Sequence, residues 1–237
     1  MRRYCSFLLS IALFAAALPA QAEPIKVVAT FSILGDLVRN VGGDNVAVTT
    51  LVGPDSDAHV YSPTPADARK IADARLIFVN GLGFEGWLPR LVQSSGSKAR
   101  IVTASNGIST LRLGSAADPH AWQSVNNAKI YVANIGAALA AADPAAAGQF
   151  AQNAQAYVEK LDALDREGRD AVAKLPPDRR KVISTHSAFG YFAASYGIEF
   201  IAPLGVSTES EPSARDIARI ITQVRRAKIP AVFLENV

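Results

Sequence analysis

From Pro24 onward the apolar positions of the chain fall into short runs separated by amphipathic stretches. Residues 25–29 (IKVVA), 46–52 (VAVTTLV), 75–79 (RLIFV) and 100–103 (RIVT) are brief and rich in Val and Ile, which predicts strands. Between them, residues 33–41, 64–74 and 85–93 read as helices. Thr64-Pro65 opens the second of these with a capping side chain followed by Pro at the first helical position. Such strand–helix alternation predicts a parallel sheet covered on both faces.

The rhythm changes at Ser124. No strand pattern occurs from there to Leu175, and Asp143-Pro144 interrupts the region as the cap and first residue of a new helix. That helix carries Phe150, Ala154, Tyr157, Leu161, Leu164 and Val172 as an apolar stripe and stops at Pro176-Pro177. Residues 144–175 would span roughly 48 Å as one helix, the length of a strut between two lobes. Alternation resumes afterwards, with strands predicted at 181–185, 198–203 and 231–235 and helices at 188–196 and 213–227. The predicted class is α/β: two parallel-sheet lobes joined by a single long rigid helix. The expected division is 23–142, 143–175 and 176–237. The second lobe ends directly after an apolar strand and reads as incomplete.

The N-terminus carries an address. Arg2 and Arg3 precede a twelve-residue apolar run, residues 7–18, and Ala20-Gln21-Ala22 offers small residues to a signal peptidase. Twelve residues rise about 18 Å as a helix, well short of a bilayer core of about 30 Å. Residues 1–22 are therefore expected to be a signal peptide cleaved after Ala22, leaving an exported periplasmic chain without a stable membrane anchor. Without Arg2 and Arg3, the 24 Lys and Arg of the whole chain fall to 22, against 21 Asp and Glu, so no electrostatic footprint for nucleic acid remains. The single Cys, Cys5, lies in the same segment. A mature chain without Cys has no disulfide, no thiolate metal cluster and no Cys nucleophile.

Three His are then the only imidazoles, and all fall on connecting loops. His59 follows a strand and precedes a helix, His120 lies in Asp118-Pro-His120-Ala-Trp122, and His186 ends the strand at 181–185. Ligands of parallel sheets gather where such loops converge. Separations of 61 and 66 residues exclude zinc-finger and HExxH spacings but permit a site assembled between lobes. Neutral imidazoles suit borderline divalent ions such as zinc, which needs a fourth donor, a carboxylate or water. Binding is expected to weaken as protons compete below about pH 6.5. Three His and a water would also suit a zinc hydrolase, although no general base stands in motif context.

Two other motifs are weaker. Gly81-Leu-Gly83-Phe-Glu-Gly86 matches a dinucleotide fingerprint, but no acid follows at the required distance, and Phe84 and Trp87 crowd the turn. Its glycines read as turn punctuation. Glu209 and Glu211 read as solvated loop acids or a helix cap, with orientation of an imidazole as the alternative.

The segments Ala58-His59-Val-Tyr-Ser-Pro-Thr-Pro65-Ala-Asp67, Asn80-Gly-Leu-Gly-Phe-Glu-Gly-Trp87, Asp118-Pro-His120-Ala-Trp122 and Ser184-Thr-His186-Ser-Ala-Phe-Gly-Tyr-Phe192 occur in one order along the chain. In these the sequence resembles the periplasmic solute-binding proteins of bacterial zinc and manganese ABC importers, over essentially all of residues 24–237. The resemblance implies two α/β lobes joined by a rigid helix, with a metal held between them. It also implies a monomer that delivers the metal to an importer permease and does no enzyme chemistry. The family's first three ligand positions fall on His59, His120 and His186. Imidazole at the third tilts the expectation to Zn2+ over Mn2+. The fourth ligand of the family, an Asp, is expected beyond Val237; Glu235 receives no ligand role from the resemblance. Residues 105–117 contain no His or Asp, so no auxiliary metal-gathering loop is expected. A rigid connection implies release by small lobe shifts or loop rearrangement.

Overall fold

The structure is a computed structural model and describes residues 23–227, 229 and 231–235. The proposed signal peptide lies outside the described residues. Strand β1 (Ile25–Phe31) leads into helix α1 (Ser32–Gly42) and strand β2 (Val46–Val52). Helix α2 (Pro65–Ala72), strand β3 (Leu76–Val79), helix α3 (Leu88–Ser95) and strand β4 (Arg100–Thr103) complete the first α/β layer. All strand pairs of this sheet are parallel, in the order β2-β1-β3-β4.

Burial follows this order. The central strand β1 exposes only Lys26, and all four residues of β3 are buried, as inner strands of a sheet covered on both faces must be. Successive side chains point to opposite faces, so Val27, Ala29 and Phe31 join one core while Val28 joins the other. The second core is small and lies under α2 and α3, with Ile71, Ile77, Leu88 and Leu91 at its heart. Thr64 caps α2 through a reciprocal box: its hydroxyl accepts the Asp67 N–H, and Asp67 accepts the Thr64 N–H. Helix α3 begins at Leu88, not at Glu85 as the sequence pattern suggested, because residues 81–87 are spent on a turn.

A two-stranded hairpin follows, β5 (Arg112–Leu113) and β6 (Ala116–Ala117), turning through Gly114 at φ +62°. No pattern of residues announces it, since its two-residue strands carry no alternating apolar face. Helices α4 (Val125–Ala142) and α5 (Ala147–Ala173) then run antiparallel. Asp143 caps the corner by accepting the N–H groups of Ala145 and Ala146. At 27 residues α5 is about 40 Å long. Its first half is not free-standing: Phe150 and Leu161 enter the larger core with Tyr131, Ile135 and Leu139 of α4, and Asn153 donates to the Val41 carbonyl at the end of α1.

The expected stripe fails at Leu164, which is 55% exposed. Lys129, one turn into α4, pairs with Asp162, so just beyond that point α5 outruns its partner and no apolar surface faces Leu164. The far end of α5 buries the last residue of the stripe, Val172, and adds polar contacts. Asp165 accepts from Tyr196 Oη, and Arg169 donates to the Ser195 carbonyl.

Those residues belong to the second α/β layer. Strand β7 (Lys181–Ile183), helix α6 (Gly190–Tyr196), strand β8 (Glu199–Ile201), helix α7 (Ala214–Ala227) and strand β9 (Ala231–Val232) form a parallel sheet in the order β8-β7-β9. Its strands are shorter than the pattern predicted. Residues 184–185 leave the ladder, the Ser184 hydroxyl donating to the His186 carbonyl and the Thr185 N–H to Glu235. No described helix is long and apolar enough to cross a membrane.

Phe150 is 1% exposed at the α4–α5 seam. Phe150→Ala should cost about 3–5 kcal/mol of unfolding free energy in urea titrations, whereas Leu164→Ala should stay within about 0.5 kcal/mol. Equal losses would contradict the gap in packing at Leu164.

Candidate metal centre

The three sequence-predicted His come together. Nε2 of His120 lies 3.1 Å from Nε2 of His59 and 3.2 Å from Nε2 of His186. All three can offer a nitrogen within 4.8 Å of the others. Three nitrogens around a tetrahedral zinc, each at about 2.0–2.1 Å, stand roughly 3.3 Å apart. The two separations from His120 already match that spacing, so the donor set fits a small divalent cation.

Each imidazole is delivered differently. His59 sits on the loop after β2, where the Ala58 carbonyl accepts from Trp87 Nε1 and the His59 N–H donates to Asp57 Oδ1. His186 follows β7 directly, at the carboxyl end of the second sheet. His120 arrives by the unpredicted hairpin, whose β6 ends one residue before Asp118. The Asp118 carboxylate accepts the His120 N–H at 3.0 Å and lies 2.8 Å from its Nδ1. It is lodged against Gly190 of the second layer, where any Cβ would come within 2.6 Å of Asp118 Oδ2.

Carboxylates therefore stand behind two of the three rings. Asp118 Oδ1 calls for a proton on Nδ1 of His120, which leaves the Nε2 lone pair free. Glu235 does similar work at His186: its Oε2 lies 2.5 Å from Nδ1, a close ion-pair contact without the alignment of a full hydrogen bond, while its Oε1 accepts the Thr185 N–H. Glu209 and Glu211, weighed for that role in the sequence, are exposed. A repeated Asp-x-His, at Asp57–His59 and Asp118–His120, was the sequence signal that could have named two of these acids. Glu235, 49 residues beyond His186, offered none.

The site is partly dry. His120 and His186 are 2% and 3% exposed, while His59 is only half-buried. Phe84 packs edge-on against His59, and Trp122 against His120. Burial, reinforced by the two neighbouring imidazoles, lowers the His59 pKa from its ordinary 6.5 to about 4. Burial also lowers that of His120, with Asp118 opposing. For Glu235 burial pushes upward, but the His186 imidazole prevails and holds its carboxyl below the usual range. Burial thus favours the neutral, metal-donating form of His59 and His120 at pH 7.

The glycine-rich motif is a turn, as read from its residues. Gly81, Leu82 and Gly83 all take positive φ, and the turn closes over a carboxylate of the chain itself: buried Glu85 accepts the N–H groups of Asn80 and Gly81 and the Thr30 hydroxyl. Sequence reasoning missed this role of Glu85. The turn sets both Phe84 against His59 and Trp87 against the preceding carbonyl.

Two parallel α/β layers spanned by one long helix, with imidazoles from both meeting in a cleft, define the class of metal-binding solute receptors. The family model for the periplasmic component A of the zinc-uptake complex matches residues 27–237, and the chain belongs to that family. It is 36% identical to the iron-binding protein YfeA of Yersinia pestis over 219 residues, 91% of this chain and 70% of that one. It is 35% identical to the manganese-binding lipoprotein MntA of Halalkalibacterium halodurans, across 100% of this chain and 82% of the relative. The periplasmic zinc-binding protein TroA of Treponema pallidum superposes with a TM-score of 0.85 at 33% identity, covering 90% of this chain and 78% of its own. Members of the family are solute-binding receptors of metal importers and not enzymes, which removes the hydrolase alternative.

The lowered His59 pKa carries a stability consequence. Between pH 6.5 and about 4 the unfolded chain holds a proton on His59 that the folded chain does not, so folding weakens as pH falls through that window. In metal-free protein the melting temperature should drop over that interval, and His59→Gln should flatten the drop. An unchanged slope in His59→Gln would show that burial of this ring has no such effect.

Proposed function

We propose that this chain captures a divalent metal ion, preferentially Zn2+, on His59, His120 and His186, and delivers it to the membrane permease of an ABC importer. The observation that carries the reading is the convergence of three imidazoles, with Nε2 of His59 and of His186 each 3.1–3.2 Å from Nε2 of His120 and two of the rings backed by carboxylates. A cation seated among the three nitrogens would take a lone pair from each ring at once. Borderline ions are the best match to an all-imidazole set, which favours zinc over the harder manganese. The iron, manganese and zinc named for the three relatives keep Mn2+ as the second reading, and the same titration separates them.

In this reading residues 23–142 and 176–237 are two lobes and 143–175 is the backbone helix between them. Residues 1–22 direct export to the periplasm and are removed after Ala22. The chain works as a monomer whose partners are the ion and the permease with its ATPase.

Calorimetric titration of the purified chain tests the proposal. Zn2+ should bind at one site per chain and more tightly than Mn2+. His59→Ala, His120→Ala and His186→Ala should each weaken it by more than roughly 100-fold, beyond the range expected for loss of an outer partner. Unchanged affinity in all three variants would defeat the assignment, and tighter Mn2+ binding would overturn the preference.

A further inference from the structure

The least buried of the three imidazoles is also the one whose loop reaches across the cleft. Residues 54–56 of that loop are exposed, and a Cβ at Gly53 would touch nothing within 4 Å, whereas Ala58, at its far end, is buried in the larger core and its carbonyl accepts from Trp87 Nε1. Between the two, the support is polar. Asp57 uses both carboxylate oxygens: Oδ1 accepts the His59 N–H at 2.8 Å, and Oδ2 accepts the Thr208 hydroxyl at 2.5 Å. Thr208 belongs to the segment after β8, in the second layer, 151 residues away.

That segment is tied at its other end to the next imidazole. Ser187, immediately after His186, donates its N–H to the Gly205 carbonyl at 2.9 Å and its hydroxyl to the Leu204 carbonyl at 3.1 Å. Residues 204–208 therefore bridge the two layers, with one end on the neighbour of His186 and the other on the carboxylate that orients His59. On the opposite flank the layers meet through buried contacts of α6. Tyr191 Oη donates to the Asp118 carbonyl and accepts the Leu111 N–H, and the Asp118 carboxylate rests on Gly190. The α6 flank is closely fitted and buried, whereas the Asp57–Thr208 flank is half-buried.

We propose that Asp57 and Thr208 form a latch across the mouth of the cleft, positioning His59 over His120 and His186 and setting how long a bound ion is retained. Asp57 and Thr208 are positioning residues, not ligands: they act through the backbone of His59. When the Thr208 hydroxyl leaves Asp57, the 53–59 loop can swing outward and carry His59 with it, while His120 and His186 stay in place. Release then needs movement of one loop instead of separation of the layers. This inference rests on the metal-capture reading above.

The test is stopped-flow release of Zn2+ from the loaded full chain into excess chelator, together with the association rate and hydrogen exchange of the metal-free chain. A hydrogen bond to a carboxylate contributes enough for its loss to be read as a roughly tenfold change. Thr208→Val should speed Zn2+ dissociation about tenfold and leave association within about threefold. In metal-free protein it should also speed exchange of the His59 amide. Thr208→Ser, which keeps the hydroxyl, should restore both, and Asp57→Ala should release at least as fast as Thr208→Val. Wild-type chain that binds no Zn2+ would sink the metal-capture reading and the latch with it. Wild-type chain that binds Zn2+, with dissociation unchanged in Thr208→Val and Asp57→Ala, would overturn the latch alone. Failure of Thr208→Ser to restore slow release would also overturn it, since a purely steric role for residue 208 would then explain the loss.

Discussion

Everything distinctive in this molecule follows from the meeting of three imidazole nitrogens at little more than 3 Å. Burial favours the neutral form of His59 and His120, and the Asp118 carboxylate directs the proton of His120 away from the meeting point. Ring nitrogens converging on one point are a good arrangement for a cation. Glu235 behind His186 adds negative charge at a second ring and raises the basicity of the donor in front of it. The same groups that weaken the metal-free cluster against acid thus prepare it for metal at neutral pH.

The fold supplies this geometry from parts of unequal stiffness. His186 extends a buried parallel strand, and His120 is gripped by Asp118, which is itself lodged against the second layer. His59 stands on an open loop braced by Trp87 on one side and by Thr208, through Asp57, on the other. The long helix α5 is packed along α1 and α4 for its first half and anchored to α6 at its far end. A connection fixed at both ends favours loop motion over a wide swing of the layers, because tightly packed cores resist continuous deformation.

Much of this was legible in the sequence. Both parallel sheets, the seven α-helices among the described residues and the three imidazoles follow from Val/Ile runs, capping residues and loop placement, since these are local properties of the chain. Leu164 misled the pattern because exposure there depends on where α4 begins, more than thirty residues away in sequence. The β5–β6 hairpin, whose two-residue strands carry no periodic signal, was invisible, although it delivers His120. The supporting acids divide in the same way. Asp57 and Asp118 stand two residues before a His and were readable from spacing; Glu235 reaches His186, and Glu85 reaches Thr30, only through the fold.

X-ray absorption at the zinc edge of the loaded full chain tests the convergence most directly, because it reports the atoms around the ion and needs no variant. The structure predicts three imidazole nitrogens at about 2.0–2.1 Å with the multiple scattering of His rings. A shell with one imidazole or none would place the ion elsewhere and contradict the site described above.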